Sequence, residues 1–200
     1  DRMIGQRSCS RACSTRPTRM IEAGAFLAEA ARHSFDFYTG VPCSFLTPII
    51  NRVISDASIA YVGATSEGEA VAIAAGAWLA GRKTVVMMQN SGLGNAVNPL
   101  ASLNYPFLIP TLLIVTWRGE AGLKDEPQHA LMGEATAPLL DVLRIAHHLF
   151  PQAPEEIAPR LDAAVEDMRK RALPAALIMR HGSVRAEMLN EPAPPLRPPG

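Results

Sequence analysis

Two carboxylates, Glu67 and Glu69, open a segment that is otherwise almost wholly apolar as far as Gly81. Ser66 and Glu69 have the Ser-x-x-Glu spacing of a capping box, so we expect them to satisfy free amide groups at a helix start. Glu67 is left over at the first helical position, where the helix dipole favours a negative charge. A helix that is apolar on nearly all sides lies inside a protein or at an interface, and its acidic end then borders a buried space. Glu67 is therefore either a catalytic carboxylate or an ordinary N-terminal acid, and Gly68 beside it indicates close approach of another group.

A second polar group lies in the segment 88–98, Met-Gln-Asn-Ser-Gly-Leu-Gly-Asn-Ala-Val-Asn. Gly92 and Gly94 suggest a nucleotide-binding turn, but Val97 stands where a dinucleotide fingerprint has its third glycine. No Lys-Ser or Lys-Thr follows either, so the turn is not a P-loop. Its amides suit it to hydrogen-bond a neutral polar ring, or to hold a loop by turn chemistry alone. Those amide side chains are Gln89, Asn90, Asn95 and Asn98.

Two further polar segments follow apolar stretches. The segment 38–44, Tyr-Thr-Gly-Val-Pro-Cys-Ser, contains Cys43, which is either a nucleophile or a small thiol that lines a pocket. The predicted loop 118–133 is long for a connection, which favours a function. Its cations either meet an anionic substrate or form a solvated surface of mixed charge. They are Arg118, Lys124 and His129.

Helical and strand-like segments alternate along the chain. Strands are predicted over residues 35–39, 59–63, 84–89, 111–117 and 175–180. Helices are predicted over 20–33, 44–55, 67–80, from 93 towards 104, 137–150 and 154–172. The pair His147-His148 falls on the fifth helix and is interpreted as non-functional. Apolar strands that alternate with helices predict an α/β fold of three layers, a mostly parallel sheet with helices on both faces. The polar segments then meet at the carboxyl ends of its strands, where such folds carry their sites.

Composition narrows the classes of function. The chain has 200 residues, enough for one full domain, and its formal net charge of zero offers no support for nucleic-acid binding. No apolar run reaches the roughly 18 residues of a membrane span, so no membrane partner is expected. Three cysteines are too few for a disulfide framework, which favours a cytoplasmic location. Cys9 and Cys13 have no second ligand pair, so no metal site is predicted on this chain.

The two ends differ in composition from the middle. Residues 1–19 are rich in arginine and are predicted to be a disordered leader or a non-native extension that precedes a natural start at Met20. Residues 20–182 are predicted to form the domain. Residues 183–200 are predicted to be a proline-rich tail, because proline excludes helix and sheet interiors.

Five motifs, read in order, resemble one family. Together they are similar to the pyrimidine-binding (PYR) domain of thiamine-diphosphate-dependent 2-oxoacid decarboxylases, specifically the phosphonopyruvate and sulfopyruvate decarboxylases. The resemblance covers roughly residues 20–180. The motifs are Thr39-Gly-Val-Pro-Cys-Ser44, Ser66-Glu-Gly-Glu-Ala70, Met88-Gln-Asn-Ser-Gly-Leu-Gly-Asn95, Val115-Thr-Trp-Arg-Gly119 and Asp125-Glu-Pro-Gln-His129.

The resemblance implies roles for individual residues. The glutamate that matches Glu67 hydrogen-bonds N1′ of the cofactor's aminopyrimidine and favours the imino tautomer that removes the thiazolium C2 proton. The activity implied is decarboxylation of phosphonopyruvate to phosphonoacetaldehyde and CO2. The cofactor-binding residues implied are Glu67, Gly40, Val41, Pro42, Asn90, Ser91, Gly92, Leu93 and Asn95. The substrate-binding residues implied are Cys43, Ser44, Arg118, Lys124, Gln128 and His129.

One departure from the family concerns the diphosphate. In the family, a second (PP) domain holds the diphosphate through Mg²⁺ with a Gly-Asp-Gly motif, which this chain lacks. The expectation is therefore half an active site, completed by a separate PP subunit in an α2β2 or larger hetero-oligomer, with the helix at 67–80 partly at the interface. A fragment of a longer chain is the alternative.

For function, the alternatives are a sulfopyruvate decarboxylase alpha subunit and a non-catalytic partner of the same fold. A nucleotide-binding oxidoreductase is disfavoured, because the glycine fingerprint of that class is incomplete in this sequence.

Overall fold

A computed structural model describes residues 20–190, and the strands of this part of the chain form one sheet. All its neighbouring strands pair in parallel, in the order β2-β1-β3-β4-β6-β5. The predicted α/β class and parallel sheet are confirmed. The strands are β1 (Phe35–Gly40), β2 (Ala60–Gly63), β3 (Lys83–Gln89), β4 (Leu112–Thr116), β5 (Ala146–Leu149) and β6 (Ala175–Met179).

Helices cover both faces of this sheet. On one face lie α1 (Ala23–Arg32), α2 (Thr47–Ile54) and α7 (Ile157–Arg171). On the other lie α3 (Glu67–Leu79), α4 (Leu93–Pro99) with its π-helical continuation Leu100–Asn104, and α6 (Ala130–Val142). A short helix, α5 (Tyr105–Phe107), follows the continuation. Short 3-10 turns lie at Asn90–Gly92, Pro127–His129 and Pro154–Glu156.

The central strands supply both hydrophobic cores because alternate side chains point to opposite faces. On β3, Val85 and Met87 belong to the core under α1, α2 and α7, whereas Val86 and Met88 belong to the core under α3, α4 and α6. The same alternation holds on β4 and β6. This two-sided burial explains why these strands read as continuous apolar runs.

The prediction of one helix over 137–150 is wrong. The helix begins earlier, at Ala130, and ends at Val142, and a strand that the sequence analysis missed follows at Ala146–Leu149. The usual signal for a helix end is a glycine in the left-handed conformation. Here Arg144 takes that conformation, with φ of 58°, so no glycine marks the break. The polar loop after β4 is correspondingly shorter than predicted, because α6 already begins at Ala130.

The histidine pair therefore lies on an edge strand and not on a helix. His147 and His148 belong to β5, where neighbouring side chains point to opposite faces. Their Nε2 atoms lie 3.1 Å from Asp141 Oδ1 and 2.8 Å from Asp167 Oδ2, respectively. Both imidazoles thus anchor the edge strand to adjacent helices, one on each face of the sheet.

The described chain beyond β6 returns to the body of the protein. The backbone amide of Ile21 donates to the carbonyl of Ser183, and that of Arg185 donates to the carbonyl of Ile21, each at 2.9 Å. Further along, Asn51 Nδ2 donates to the carbonyl of Glu187 at 2.8 Å. These bonds tie residues 183–187 to the segments around α1 and α2; residues 1–19 and 191–200 lie outside the described residues. Among the described helices, none has both the length and the apolar character to cross a membrane.

Candidate active site

The start of α3 separates the roles of its two acids. Ser66 Oγ accepts a hydrogen bond from the Glu69 amide at 3.2 Å, so the predicted N-cap is confirmed. The Glu69 carboxylate accepts from the amide and the hydroxyl of Thr65, at 2.7 and 2.6 Å, one residue before the cap. These hydrogen bonds lower the pKa of Glu69. Glu69 is therefore occupied with the helix start.

The Glu67 carboxylate lies at the buried end of the same helix, and only 9% of the residue is exposed. Its Oε2 accepts a hydrogen bond of 2.7 Å from Asn95 Nδ2 on α4. Its Oε1 accepts none from the described residues. A methyl group at Gly92 would overlap with the Glu67 carboxylate, so the carboxylate can keep this position only beside a glycine. Asn95 thus fixes one carboxylate oxygen, and the other lies against Gly92 without a hydrogen-bond partner among the described residues.

Gly68 lets α3 and α4 approach each other closely. A Cβ atom at Gly68 would lie 2.9 Å from the carbonyl oxygen of Asn95. The sequence pattern indicates close approach at this glycine, and the group that approaches in the structure is the backbone of α4. The contact brings the Asn95 side chain into range of Glu67.

A second set of polar atoms lies where β1, β3 and β4 end side by side. Cys43 Sγ lies 3.3 Å from Gln89 Oε1, to which it donates, and 3.7 Å from Thr116 Oγ1. The preceding turn is held by the Val41 amide, which donates to the carbonyl of Met87 at 3.1 Å. Gly40 packs so tightly that a Cβ would overlap with the same carbonyl, whereas Pro42 and Ser44 are exposed to solvent.

Asn90 fastens three elements together from a fully buried position. Its Nδ2 donates to the carbonyl of Arg118, at 2.8 Å, and to Thr136 Oγ1 on α6, at 2.9 Å. Its Oδ1 accepts from the Arg118 amide at 3.3 Å. Both ends of the Asn90 amide are therefore engaged within the protein. Nearby, Leu93 is buried in the core, and Ser91 Oγ accepts from Gln89 Nε2 at 2.8 Å.

The polar loop after β4 is organised around Asp125. Arg118 donates to its carboxylate from Nε, at 2.9 Å, and from Nη2, at 2.6 Å. His129 Nδ1 lies 2.9 Å from Asp125 Oδ1, and the Gly119 amide donates to Oδ2 at 2.8 Å. These bonds, above all that from Arg118, hold the pKa of the Asp125 carboxyl far below its usual range. Arg118 and His129 are thus joined through a carboxylate, while Lys124 and Gln128 are exposed.

The structure groups the sequence-predicted residues into three neighbourhoods. Glu67 is with Gly92 and Asn95, Cys43 is at the strand ends, and Arg118 is with His129. Sequence reasoning gave no role to Asp125, although its spacing of four residues from His129 was a usable signal. It also missed Thr116, whose hydroxyl lies close to the Cys43 thiol. The two residues are 73 positions apart in the sequence, and the spacing patterns of helices and strands do not reveal contacts over such separations.

Comparison with known proteins identifies the family. Residues 21–140 match the model described as "Thiamine pyrophosphate enzyme, N-terminal TPP binding domain". The chain belongs to the thiamine pyrophosphate enzymes. The matched segment runs from two residues before α1 almost to the end of α6, and it includes all three neighbourhoods.

Named relatives refine the comparison. The chain is 47% identical over 175 residues to a phosphonopyruvate decarboxylase of Streptomyces viridochromogenes, and 45% identical over 175 residues to one of Streptomyces hygroscopicus. Each alignment covers 88% of this chain and 44% of the relative. The chain is also 42% identical over 146 residues to the sulfopyruvate decarboxylase subunit alpha of Methanocaldococcus jannaschii. This alignment covers 72% of this chain and 85% of that protein.

These matches confirm the resemblance that the five motifs predict. The chain spans less than half the length of the phosphonopyruvate decarboxylases that it matches. It spans most of the length of the sulfopyruvate decarboxylase subunit alpha. Within the thiamine pyrophosphate enzymes, it therefore corresponds to the N-terminal half of the first kind of relative and to one subunit of the second.

Proposed function

We propose that this chain is the PYR half of a thiamine-diphosphate-dependent phosphonopyruvate decarboxylase, which forms phosphonoacetaldehyde and CO2. The observation that carries the proposal is the Glu67 carboxylate, which is buried at a helix end with one oxygen held by Asn95 and the other free of protein partners. Family membership and the 47% identical phosphonopyruvate decarboxylase support it.

The free oxygen of Glu67 fits a protonated nitrogen of an aromatic ring. A carboxylate is a strong acceptor for a ring N–H, and burial strengthens that hydrogen bond because little water competes with it. The backbone around Gly40, Val41 and Pro42 and the turn at 90–95 lie at the same ends of the strands and would border the pyrimidine. Thiamine diphosphate, when bound, supplies the electron sink for loss of CO2 from a 2-oxoacid. Glu67 accepts the hydrogen bond from the protonated ring nitrogen, and Asn95 holds the Glu67 side chain in position.

The diphosphate and its Mg²⁺ are assigned to a PP half outside this sequence. That half is either the remainder of a longer chain, as the length of the Streptomyces relatives favours, or a separate beta subunit, as the relative named subunit alpha favours. We propose a hetero-oligomer, α2β2 or larger, for the second case. In both cases Glu67 acts only when the other half presents the cofactor to it.

Sulfopyruvate is the alternative substrate. The observation that favours it is the 42% identity to a sulfopyruvate decarboxylase subunit alpha over 85% of that protein's length. Both substrates are three-carbon 2-oxoacids with a second anionic group. Parallel assays of the assembled enzyme on the two acids decide between them, because the preferred acid has the higher kcat/KM. A non-catalytic partner of the same fold would turn over neither acid.

A matched pair of glutamate variants tests the proposal. In the assembled enzyme, Glu67→Gln is expected to lower kcat by about 100-fold or more, the scale of a lost acid–base group. Glu69→Gln is expected to keep most of the turnover and to lower thermal stability slightly, because Glu69 only serves the helix start. Circular dichroism confirms that both variants fold. Full activity of Glu67→Gln would contradict the role given to this carboxylate.

A further inference from the structure

A small cavity opens beside the candidate active site, next to the carboxyl ends of β4 and β6. Its volume is about 270 Å³, and its walls include the rings of Phe45 and Trp117. The ring of Phe45 also contacts the His181 ring, with centroids 4.7 Å apart. The cavity thus combines two aromatic walls with Leu123 and a set of ionisable side chains along the rest of its lining.

The acids that line this cavity are already paired within the protein. Asp125 holds Arg118 with bonds of 2.6 and 2.9 Å, and Glu120 lies 2.8 Å from Arg180. Their negative charges are therefore offset by neighbouring guanidinium groups. Arg118 is likewise occupied, which makes it a fixed wall of the cavity and not a free cation.

The side chains of the lining that remain available are nitrogen bases. Lys124 makes no hydrogen bond or ion pair within residues 20–190, and the same is true of the His181 side chain. An ammonium group offers three donors and no acceptor, and an imidazole offers a donor nitrogen. Unpaired donors next to neutralised acids create a site for an anion, because charge-assisted hydrogen bonds to an oxyanion are the strongest that they can form.

The cavity adjoins the residues expected to meet the substrate. Phe45 follows Cys43 by two positions, and the guanidinium carbon of Arg118 lies 4.8 Å from the centroid of the Phe45 ring. Asp125, which holds Arg118 on the cavity side, also holds His129. A ligand that extends from the strand ends into the cavity would therefore lie beside the Phe45 ring and the Arg118–Asp125 pair.

We propose that this cavity binds the second anionic group of the substrate, a tetrahedral oxyanion carried on C3 of the 2-oxoacid, and that Lys124 and His181 determine specificity for it. The inference rests on the proposed function and adds its anion subsite. It assigns His181, a residue that no motif indicated because it follows β6, far in sequence from the polar loop.

Kinetics with and without the second anion test the assignment. Lys124→Met and His181→Asn are made in the assembled enzyme and assayed with phosphonopyruvate, sulfopyruvate and pyruvate, which has no second anion. Each variant is expected to lower the ratio of kcat/KM for the dianionic acid over pyruvate by about tenfold, chiefly through KM, as for one lost charge-assisted hydrogen bond. Lys170→Met, on the solvent side of α7, should leave the ratio unchanged.

A second readout avoids catalysis. Methylphosphonate carries the tetrahedral anion without the 2-oxo group, and its inhibition constant should rise by a similar factor in both variants. An unchanged ratio together with an unchanged inhibition constant overturns the subsite. Equal losses with pyruvate and the dianionic acids also overturn it, because they indicate a general structural role. If the unmodified enzyme decarboxylates neither acid, the proposed function fails instead, and methylphosphonate binding, measured by calorimetry, still tests the cavity.

Discussion

The chemistry proposed for Glu67 depends on two neighbours that hold its side chain. Asn95 occupies one carboxylate oxygen, and the absence of a side chain at Gly92 leaves room for the carboxylate itself. Burial alone would make an unpaired carboxylate costly. A single hydrogen bond from a neutral amide reduces that cost without neutralising the charge or blocking the second oxygen. The site is thus suited to accept a proton-bearing ring.

Two glycines two positions apart, Gly92 and Gly94, test this arrangement. Gly92→Ala places a methyl group where the Glu67 carboxylate lies, so the carboxylate must move. We expect kcat of the assembled enzyme to fall about 100-fold, as for a misplaced reacting group. Gly94→Ala meets no atom within 4 Å and lies in α4, so it should raise stability by up to about 1 kcal/mol and keep activity.

The outcome is read from kinetics and from thermal unfolding of both variants. Gly92 adopts a right-handed helical conformation, with φ of −70°, that alanine accepts without backbone strain. A loss of activity in Gly92→Ala with a folded protein therefore reports on Glu67 and not on the turn. Equal activity of the two variants would refute the positioning role of this glycine.

Sequence identified Glu67 but not how the neighbouring amides are used. The Ser-x-x-Glu spacing alone distinguished Glu67 from Glu69, the acid that belongs to the helix cap. The amides of the 88–98 turn were expected to bind a polar ring or to hold a loop, and the structure engages all four of them within the protein, two of them with distant partners only. Asn90 bonds Arg118 and Thr136, and Asn95 bonds Glu67. A sequence displays the donors, but the partner of each depends on elements more than 25 positions away.

At the level of elements, the segment between β4 and α6 is held by one carboxylate. Asp125 receives bonds from a side chain and a backbone amide at the end of β4 and lies against His129 before α6. Two glycines allow the close fit, since a Cβ at Gly119 would overlap with the carbonyl of His129 and one at Gly133 with that of Gly119. The loop is therefore rigidly attached where it borders the cavity.

Replacement of the central carboxylate should loosen this loop in a pH-dependent manner. Asp125→Asn removes the ionic partner of Arg118, and we expect a loss of roughly 1–3 kcal/mol in the free energy of unfolding at pH 7. The folded-state pKa of Asp125 is depressed. The contribution of the Asp125 charge to the free energy of unfolding is therefore complete above the ordinary aspartate pKa of about 4, and it is lost as the pH falls further.

Urea unfolding at a series of pH values measures the difference between the two proteins. The stability gap should be constant from pH 7 to about pH 5 and narrow below about pH 4. Glu126→Gln is the control, because Glu126 is exposed and its side chain forms no hydrogen bond within the described residues. A gap that is the same at pH 3 and pH 7 would show that Asp125 does not act through its charge.

The prediction of helices and strands succeeded where the spacing of apolar residues was regular. It failed where a helix end lacked its usual glycine. The central strands are continuous apolar runs, and all were found. The edge strand β5 was missed because the stretch 137–150 has helical spacing and because Arg144, not a glycine, takes the left-handed position. Tertiary contacts with β6 decide that Ala146–Leu149 is a strand.

For the whole molecule, the apolar character of α3 is only partly explained by the core. Ala70, Val71, Ala74 and Ala75 are buried, but Ala72 and Gly76 are exposed, and Leu79 is 72% exposed. These exposed residues share one helix face because they are spaced by four and three positions. Exposed apolar surface of this kind marks contact sites, and here it runs along α3 from Ala72 to Leu79.

Assembly with the PP half is therefore expected to use this face. Gly76→Arg places a long cation on it, and a Cβ atom at this exposed position meets no described atom outside its own helix within 4 Å, so the fold should tolerate the change. We expect the variant to lose co-purification with the PP half and the activity that depends on it. Ala25→Arg is the matched control, since Ala25 is exposed on α1, on the opposite layer of the sheet.

Analytical ultracentrifugation and circular dichroism separate the possible causes. Loss of assembly by a Gly76→Arg protein that melts like the parent supports the docking face, because only the surface has changed. Assembly retained by Gly76→Arg but lost by Ala25→Arg would place the contact on the other layer. The position of the face then bears on catalysis, because the helix that carries it also begins with Glu67. One helix would thus carry both the proton acceptor and the contact that brings the cofactor to it.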